Sequence, residues 1–342
     1  MKNSNNLNLK TIAERAGVST ATVSNVINGN YHKVSEKTAQ RVNEIISELG
    51  YSPSAAARSL VSNESRIIAL LIPNMMLEGG FGVDPYASEM VSLLEKEIQQ
   101  EGYYMMVRSV NRILDIAELA HTWNADGVII LGAYPEEVEE IGYKLDSIPV
   151  VYTDTYSNDI PIANIGIDDY KGGYISAKYL LEKGHRKIAF VGPDENVSYV
   201  IKERCRGFRD ALKEYNLKLS DEDIYVSDTS IDGGVEIGNR IINSDKKYTA
   251  ISAMSDTLAL GICSALLHNG IKIPDDISII GFDNIKPCDY INPSLTTVSQ
   301  NLEEKASLVG KRLFEMIKTK KSDKTNEILD VEIIERQSVK TL

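Results

Sequence analysis

From residue 66 onward the chain alternates between short, continuous apolar runs and longer amphipathic stretches. The runs are IIALLIP (67–73), YYMMVRS (103–109), GVIILGA (127–133), IPVVYTD (148–154), KIAFVGP (187–193), TAISAMS (249–255) and SIIGFD (278–283). Runs rich in Val and Ile without polar alternation read as strands buried on both faces. The stretches 86–101, 169–183, 203–215, 256–269 and 302–318 supply covering helices. The pattern predicts an α/β body of parallel sheets. Seven or more runs exceed one ordinary sheet, so two doubly wound subdomains are expected, split near 160–165 and joined by C-terminal crossover segments.

In open α/β sheets, ligands bind beyond the carboxyl ends of the strands. Those ends carry Pro73, Gly132, Asp154, Pro193, Ser255 and Asp283. Two subdomains facing each other would line one cleft with them.

The first sixty residues follow a different pattern. Asn8 is placed to cap a helix over 9–16 that Gly17 stops. Ser19 is a second cap candidate, before TATVSNVING, where Val23, Val26 and Ile27 form one apolar stripe. A third helix starts from Ser35 and ends at Gly50, with Val42, Ile45, Ile46 and Leu49 inward. Two short helices joined by a Gly-Val-Ser turn make a helix-turn-helix. The outer face of its second helix holds Thr20, Ala21, Thr22, Ser24 and Asn25. Short hydroxyl and amide groups can approach phosphates and base edges without obstruction. A plain three-helix bundle with a Ser/Thr-rich surface would share the pattern.

The formal charge of −12 argues against a nucleic-acid partner only until it is divided. Residues 1–62 carry +3 and the remainder −15. Such asymmetry fits a nucleic-acid-binding head on an acidic body. Three cysteines without paired spacing suggest reduced thiols in a cytoplasmic protein. No apolar run reaches the length of a membrane span, and the start, MKNSNNLNLK, has no apolar stretch that could serve as a signal peptide. Enzymatic readings fare poorly. Gly80, Gly82 and Pro85 break a G-x-G-x-x-G loop, and there is no G-x-x-x-x-G-K-[ST]. The four histidines lack metal-ligand spacing. No catalytic set, metal or cofactor is expected.

TIAERAGVSTATVSNVINGN followed by VSEKTAQRVNEIISELGYSPSAAARSL resembles the DNA-binding head of the LacI/GalR transcriptional regulators. The turn NGNYHKVS is one residue longer than the commonest form. GIDDYKGGYISAKYLLEKGHRKIAFVGP, RCRGFRDAL, SDTLALG, IPDDISIIGFDN and PSLTTVSQN extend the resemblance over nearly the whole chain, to the body this family shares with periplasmic binding proteins. The resemblance implies a helix-turn-helix domain over 1–51, a hinge helix and linker over 52–65, and an effector-binding and dimerisation domain over 66–342.

It also implies roles. Thr20 and Ala21 would read bases in the major groove, while Ser19, Thr22, Ser24 and Asn28 would hold phosphates or support base contacts. Asn25 stands where the family commonly has Arg. Arg reads guanine and Asn suits adenine, so an altered operator base is expected there. Ala57 and Leu60 match hinge residues, with Leu60 the apolar wedge in the minor groove. The alternative is a plain flexible linker.

In the cleft, Arg204, Asp283 and Asp154 match effector-binding positions. A guanidinium with fixed donors and carboxylates that accept from paired hydroxyls suit a sugar-like polyol. The alternative is structural ion pairing at strand ends. Ser255 replaces a customary Asn, and Asp256 fits the family pattern with the expectation that it caps its helix. Thr229 falls where relatives often place an aromatic platform. Phe81 or Tyr86 could supply that surface, unless MMLEGGFGVDPY is a flexible loop.

The expected function is a transcriptional repressor, homodimeric, on a near-palindromic operator and modulated by a small carbohydrate-like effector. A global regulator answering to a protein co-effector is the alternative. A secreted solute-binding protein would need a signal peptide and no head. The ending SVKTL carries no heptads, which favours a dimer over a tetramer.

Overall fold

A computed structural model describes residues 8–27, 29–51, 64–73, 84–110, 113–133, 135–145, 147–156, 160–196 and 199–342. The chain divides into two compact units, 1–65 and 66–342.

The first unit holds helices α1 (Leu9–Ala16), α2 (Thr20–Ile27) and α3 (Glu36–Leu49). The Asn8 side chain accepts from the N–H groups of Lys10 and Thr11 at 3.0 and 3.1 Å. Gly17 then ends α1 with φ 62°, a left-handed conformation glycine adopts without strain. Ser35 caps α3 through the Thr38 N–H, and Gly50 closes it at φ 60°. The long turn after α2 contains a 3₁₀ turn, Tyr31–Lys33. Ile12, Ala13, Ala16, Val23, Val26, Ala39 and Val42 are buried together, with Ile45, Ile46 and Leu49 packed at the margin.

The second unit holds two six-stranded sheets. The first is built from β1 (Ile67–Pro73), β2 (Tyr104–Val110), β3 (Gly127–Leu131), β4 (Val150–Thr153), β5 (Asn164–Ile167) and β11 (Asn326–Leu329), in the order β11-β5-β4-β3-β1-β2. The second is built from β6 (Ile188–Gly192), β7 (Ile224–Val226), β8 (Ala250–Ala253), β9 (Ser278–Asp283), β10 (Thr296–Ser299) and β12 (Glu332–Ile334), in the order β12-β10-β9-β8-β6-β7. All pairings are parallel except β10 with β12. All seven apolar runs contain strands. Five further strands were not expected, because they are only three or four residues long: TTVS, for example, forms β10 and NEIL forms β11. The chain leaves the first sheet only after Ile167, just past the expected 160–165, because β5 pairs with β4.

The covering helices are α4 (Pro85–Gln100), α5 (Ile113–Thr122), α6 (Pro135–Lys144), α7 (Asp169–Glu182), α8 (Tyr199–Glu214), α9 (Ile231–Ile242), α10 (Asp256–His268) and α11 (Leu302–Thr319). Helix α11 follows a strand of the second sheet yet packs on the first. Leu302, Ala306, Val309 and Leu313 share a core with Leu70, Met90, Leu94 and Ile129. That return carries side chains from the carboxyl-terminal part of the chain to the ends of β4 and β9.

Two helix pairs touch at glycines. A Cβ on Gly207 would lie 1.9 Å from the Tyr170 carbonyl oxygen, and one on Gly173 would lie 1.9 Å from the Arg204 carbonyl oxygen. Helices α7 and α8 therefore meet backbone to backbone, which sets the depth at which Arg204 sits. Gly234 and Gly261 play the same part between α9 and α10.

Candidate functional site

Asp154 follows β4, Asp283 ends β9, Gln300 follows β10, and the carbonyl of Met254 follows β8. These are carboxyl ends of parallel strands, where helix connections leave room for a ligand. Asp154 has φ 47° and Asp283 has φ 116°. Non-glycine residues reach such angles only under local strain that surrounding contacts maintain.

Arg204 is 6% exposed. Its Nε donates to Asp169 Oδ1 at 2.7 Å and its Nη1 to the Met254 carbonyl at 2.8 Å. Its guanidinium lies 3.6 Å from the centre of the Phe282 ring, a cation–π contact. Asp169 also accepts from the Tyr156 hydroxyl. Burial raises the Asp169 carboxyl above its ordinary pKa, and Arg204 opposes that.

Asp154 accepts from Tyr86 at 2.9 Å, and both its oxygens accept from Lys305 Nζ, at 2.8 and 2.9 Å. Lys305 donates further to Gln300 Oε1 at 2.7 Å, and Gln300 Nε2 donates to Asp283 Oδ1 at 2.5 Å. A hydrogen-bonded chain thus runs from Tyr86 through Asp154, Lys305 and Gln300 to Asp283, linking the ends of the two sheets. Burial raises the Asp283 carboxyl well above its usual range.

The structure brings Asp154, Arg204, Asp283 and Tyr86 into this one polar cluster. Tyr86 enters by its hydroxyl, and its ring packs against the cores of both sheets. Phe81 lies outside the described residues. Ser255 is the cap of α10, accepting from the Leu258 N–H at 3.2 Å. Asp256, expected as that cap, points inward instead. It accepts from Thr297 Oγ1 at 2.6 Å and from the Ile285 N–H at 3.0 Å, anchoring the turn after Asp283. Asp169, Tyr156, Gln300 and Lys305 were not anticipated. One signal existed: Lys305 lies in the apolar stripe of α11, three residues after Leu302.

Burial pushes the Asp256 carboxyl up to about 6. The folded state then holds a proton that the unfolded chain releases, so this group favours the fold at low pH and that contribution is lost as pH rises through about 6. Stability should therefore fall between about pH 4 and about pH 6, and Asp256→Asn should flatten that slope in urea titrations.

Cys205, Cys263 and Cys288 are free and buried, and burial pushes the first two thiols up to about 12. His185 is fully buried, with one ring nitrogen facing Thr249 Oγ1 and the other the Lys340 carbonyl, a structural placement. No group of three or more metal-binding side chains occurs among the described residues. Among them no helix is long and apolar enough to cross a membrane.

In the first unit, Ser19, Thr20 and Ala21 are exposed at the start of α2, and Thr22, Ser24 and Asn25 are half-buried. The Ser19 hydroxyl accepts from the Thr22 N–H at 3.1 Å and lies 2.9 Å from its hydroxyl. The first turn of α2 contains no acidic residue, so its positive end is open to an anion such as phosphate. Asn28, Ala57 and Leu60 lie outside the described residues.

A helix-turn-helix unit whose second helix starts with exposed Ser19, Thr20 and Ala21, in one chain with a two-sheet unit that has polar groups at its strand ends, defines a DNA-binding transcriptional regulator. Residues 8–54 match the model of bacterial regulatory proteins of the lacI family, and residues 177–339 match the periplasmic binding protein-like domain. The HTH-type transcriptional repressor PurR of Vibrio atlanticus is 34% identical over 343 residues, covering 98% of this chain and 99% of that protein. The lac repressor dimer bound to operator and the anti-inducer ONPF has a TM-score of 0.85 at 24% identity, over 98% of this chain and 99% of that one. A LacI family regulator from Enterococcus faecium with bound ribose has a TM-score of 0.70 at 28% identity, over 81% of this chain and 99% of that one. The chain belongs to the LacI family and is a DNA-binding transcriptional repressor.

Proposed function

We propose that this repressor acts in the cytoplasm as a homodimer on a near-palindromic operator, and that a small sugar-like molecule in the cleft modulates operator affinity. The observation that carries this reading is that Asp283 and Asp154 stand at strand ends of two sheets, with Arg204 of α8 reaching a third strand end at the Met254 carbonyl. The ribose in the E. faecium relative supports a polyhydroxylated ligand. Thr20 and Ala21 would read base edges, Ser19, Thr22, Ser24 and Asn28 would support them, and Asn25 would select adenine. Ala57 and Leu60 would form the hinge. Residues 1–51, 52–65 and 66–342 would be the head, hinge and effector domain. Ligand would bias the angle between the two sheets and with it the order of the hinge.

Sugars, nucleosides and nucleobases should be screened against the full chain by thermal shift, with hits tested for a change in operator affinity. The expected hits are sugars or nucleosides whose effect is lost in Asp283→Asn. Operator binding that responds to none of them would overturn the small-molecule reading. Selection on random DNA should return adenine opposite Asn25. Guanine there, with no effect of Asn25→Ala, would sink that assignment.

A further inference from the structure

We propose that Lys305 sets the specificity of the effector cleft: it is an internal cation that occupies Asp154 in a ligand's place and so confines the site to effectors without positive charge. The proposal rests on the reading of the cleft as the effector site.

Lys305 is fully buried, within the inward stripe of α11 between Leu302 and Val309. A buried ammonium must have its donors satisfied. Lys305 has three, and all are used, two on Asp154 and one on Gln300. The Asp154 carboxylate offers about four acceptor directions. Lys305 and Tyr86 fill three of them. A single direction remains, so a ligand group could take Asp154 as its main partner, or pair with its charge, only by displacing the buried Lys305 ammonium.

The other side of the cluster is differently placed. Arg204 spends Nε and Nη1 on Asp169 and Met254, and its Nη2 group makes no hydrogen bond to a described residue. Asp283 accepts from Gln300 through Oδ1 only. The capacity to read a ligand therefore lies on Arg204 and Asp283, one supplying donors and the other an acceptor. A hydroxyl pair or an amide edge satisfies both without a net charge. An ammonium group would face the cations of Arg204 and Lys305 with the Asp154 carboxylate already neutralised by Lys305.

The test uses the full chain with Lys305→Ala, Lys305→Met and Lys305→Ala combined with Asp154→Asn. Ethylammonium chloride is titrated calorimetrically against a sodium chloride control. The expected result is saturable binding to Lys305→Ala at least tenfold tighter than to the wild type, abolished by Asp154→Asn, with recovery of the urea midpoint. Should Lys305→Ala not fold, Lys305→Met carries the same comparison through aminosugars against their neutral parents. That preference should shift at least tenfold toward the amines, a change that a merely structural ion pair would not produce. Equal ethylammonium binding by wild type and variant, or an unchanged aminosugar ratio in folded Lys305→Met, would overturn the proposal. If no cleft ligand alters operator binding while ethylammonium still binds only the variant, the effector reading fails and the occupancy of Asp154 by Lys305 stands.

Discussion

Arg204→Met should destabilise the 66–342 unit by about 3–5 kcal/mol, the usual consequence of removing one member of a buried pair. Asp169 is 2% exposed and its ion-pair partner is Arg204. Methionine fills much of the volume but leaves that carboxylate with the Tyr156 hydroxyl alone. The Met254 carbonyl loses a donor, and Phe282 loses the guanidinium stacked on its face. Much of the loss should come from the stranded charge rather than from the pair itself. A second substitution, Asp169→Asn, should therefore restore part of it. Urea midpoints of the two single variants and the double variant would show this as a coupling energy. Losses that simply add would mean that the pair contributes little. In the folded fraction, effector response should also vanish if, as proposed, the unused donors of Arg204 bind the effector.

Gly207→Ala should be of comparable severity. The added Cβ would sit 1.9 Å from the Tyr170 carbonyl oxygen, and backbone cannot yield as a flexible side chain does. Overpacking of this kind costs about 3 kcal/mol, and more where helices must part. Gly173→Ala should behave alike, since its Cβ would meet the Arg204 carbonyl oxygen. Gly142→Ala is the control. Its Cβ meets nothing within 4 Å on helix α6, so alanine's higher helix propensity should make it neutral or stabilising by about 0.5–1 kcal/mol. Equal losses at Gly207 and Gly142 would show that close packing of α7 against α8 is not the cause.

These expectations rest on features of unequal visibility. Asp154 and Asp283 were legible as strand ends because apolar runs precede them, whereas Arg204, inside α8, was reached only through the resemblance of RCRGF to the family. The Ser19 and Ser35 caps were legible because capping is local chemistry. Lys305 was harder to see. On a helix of mixed composition a lysine reads as solvated, and nothing local places it opposite Asp154, 151 residues earlier. Asp256 was misread for a related reason. An aspartate at the first position of a helix normally serves that helix, whereas here Ser255 caps and Asp256 turns toward Thr297 on a neighbouring strand. Strands β10 and β11 were missed because their backbone pairing, rather than continuous apolar side chains, holds them in the sheets.

By itself, the sequence determined the alternation of strands and helices, the helix-turn-helix head and the need for two sheets, because periodicity, caps and glycine stops act over a few residues. The tertiary structure alone decided which strand ends face one another, that α11 returns to the first sheet, and that Lys305 holds Asp154. Those outcomes depend on burying one helix face against a distant sheet and on neutralising charges that only folding brings within 3 Å.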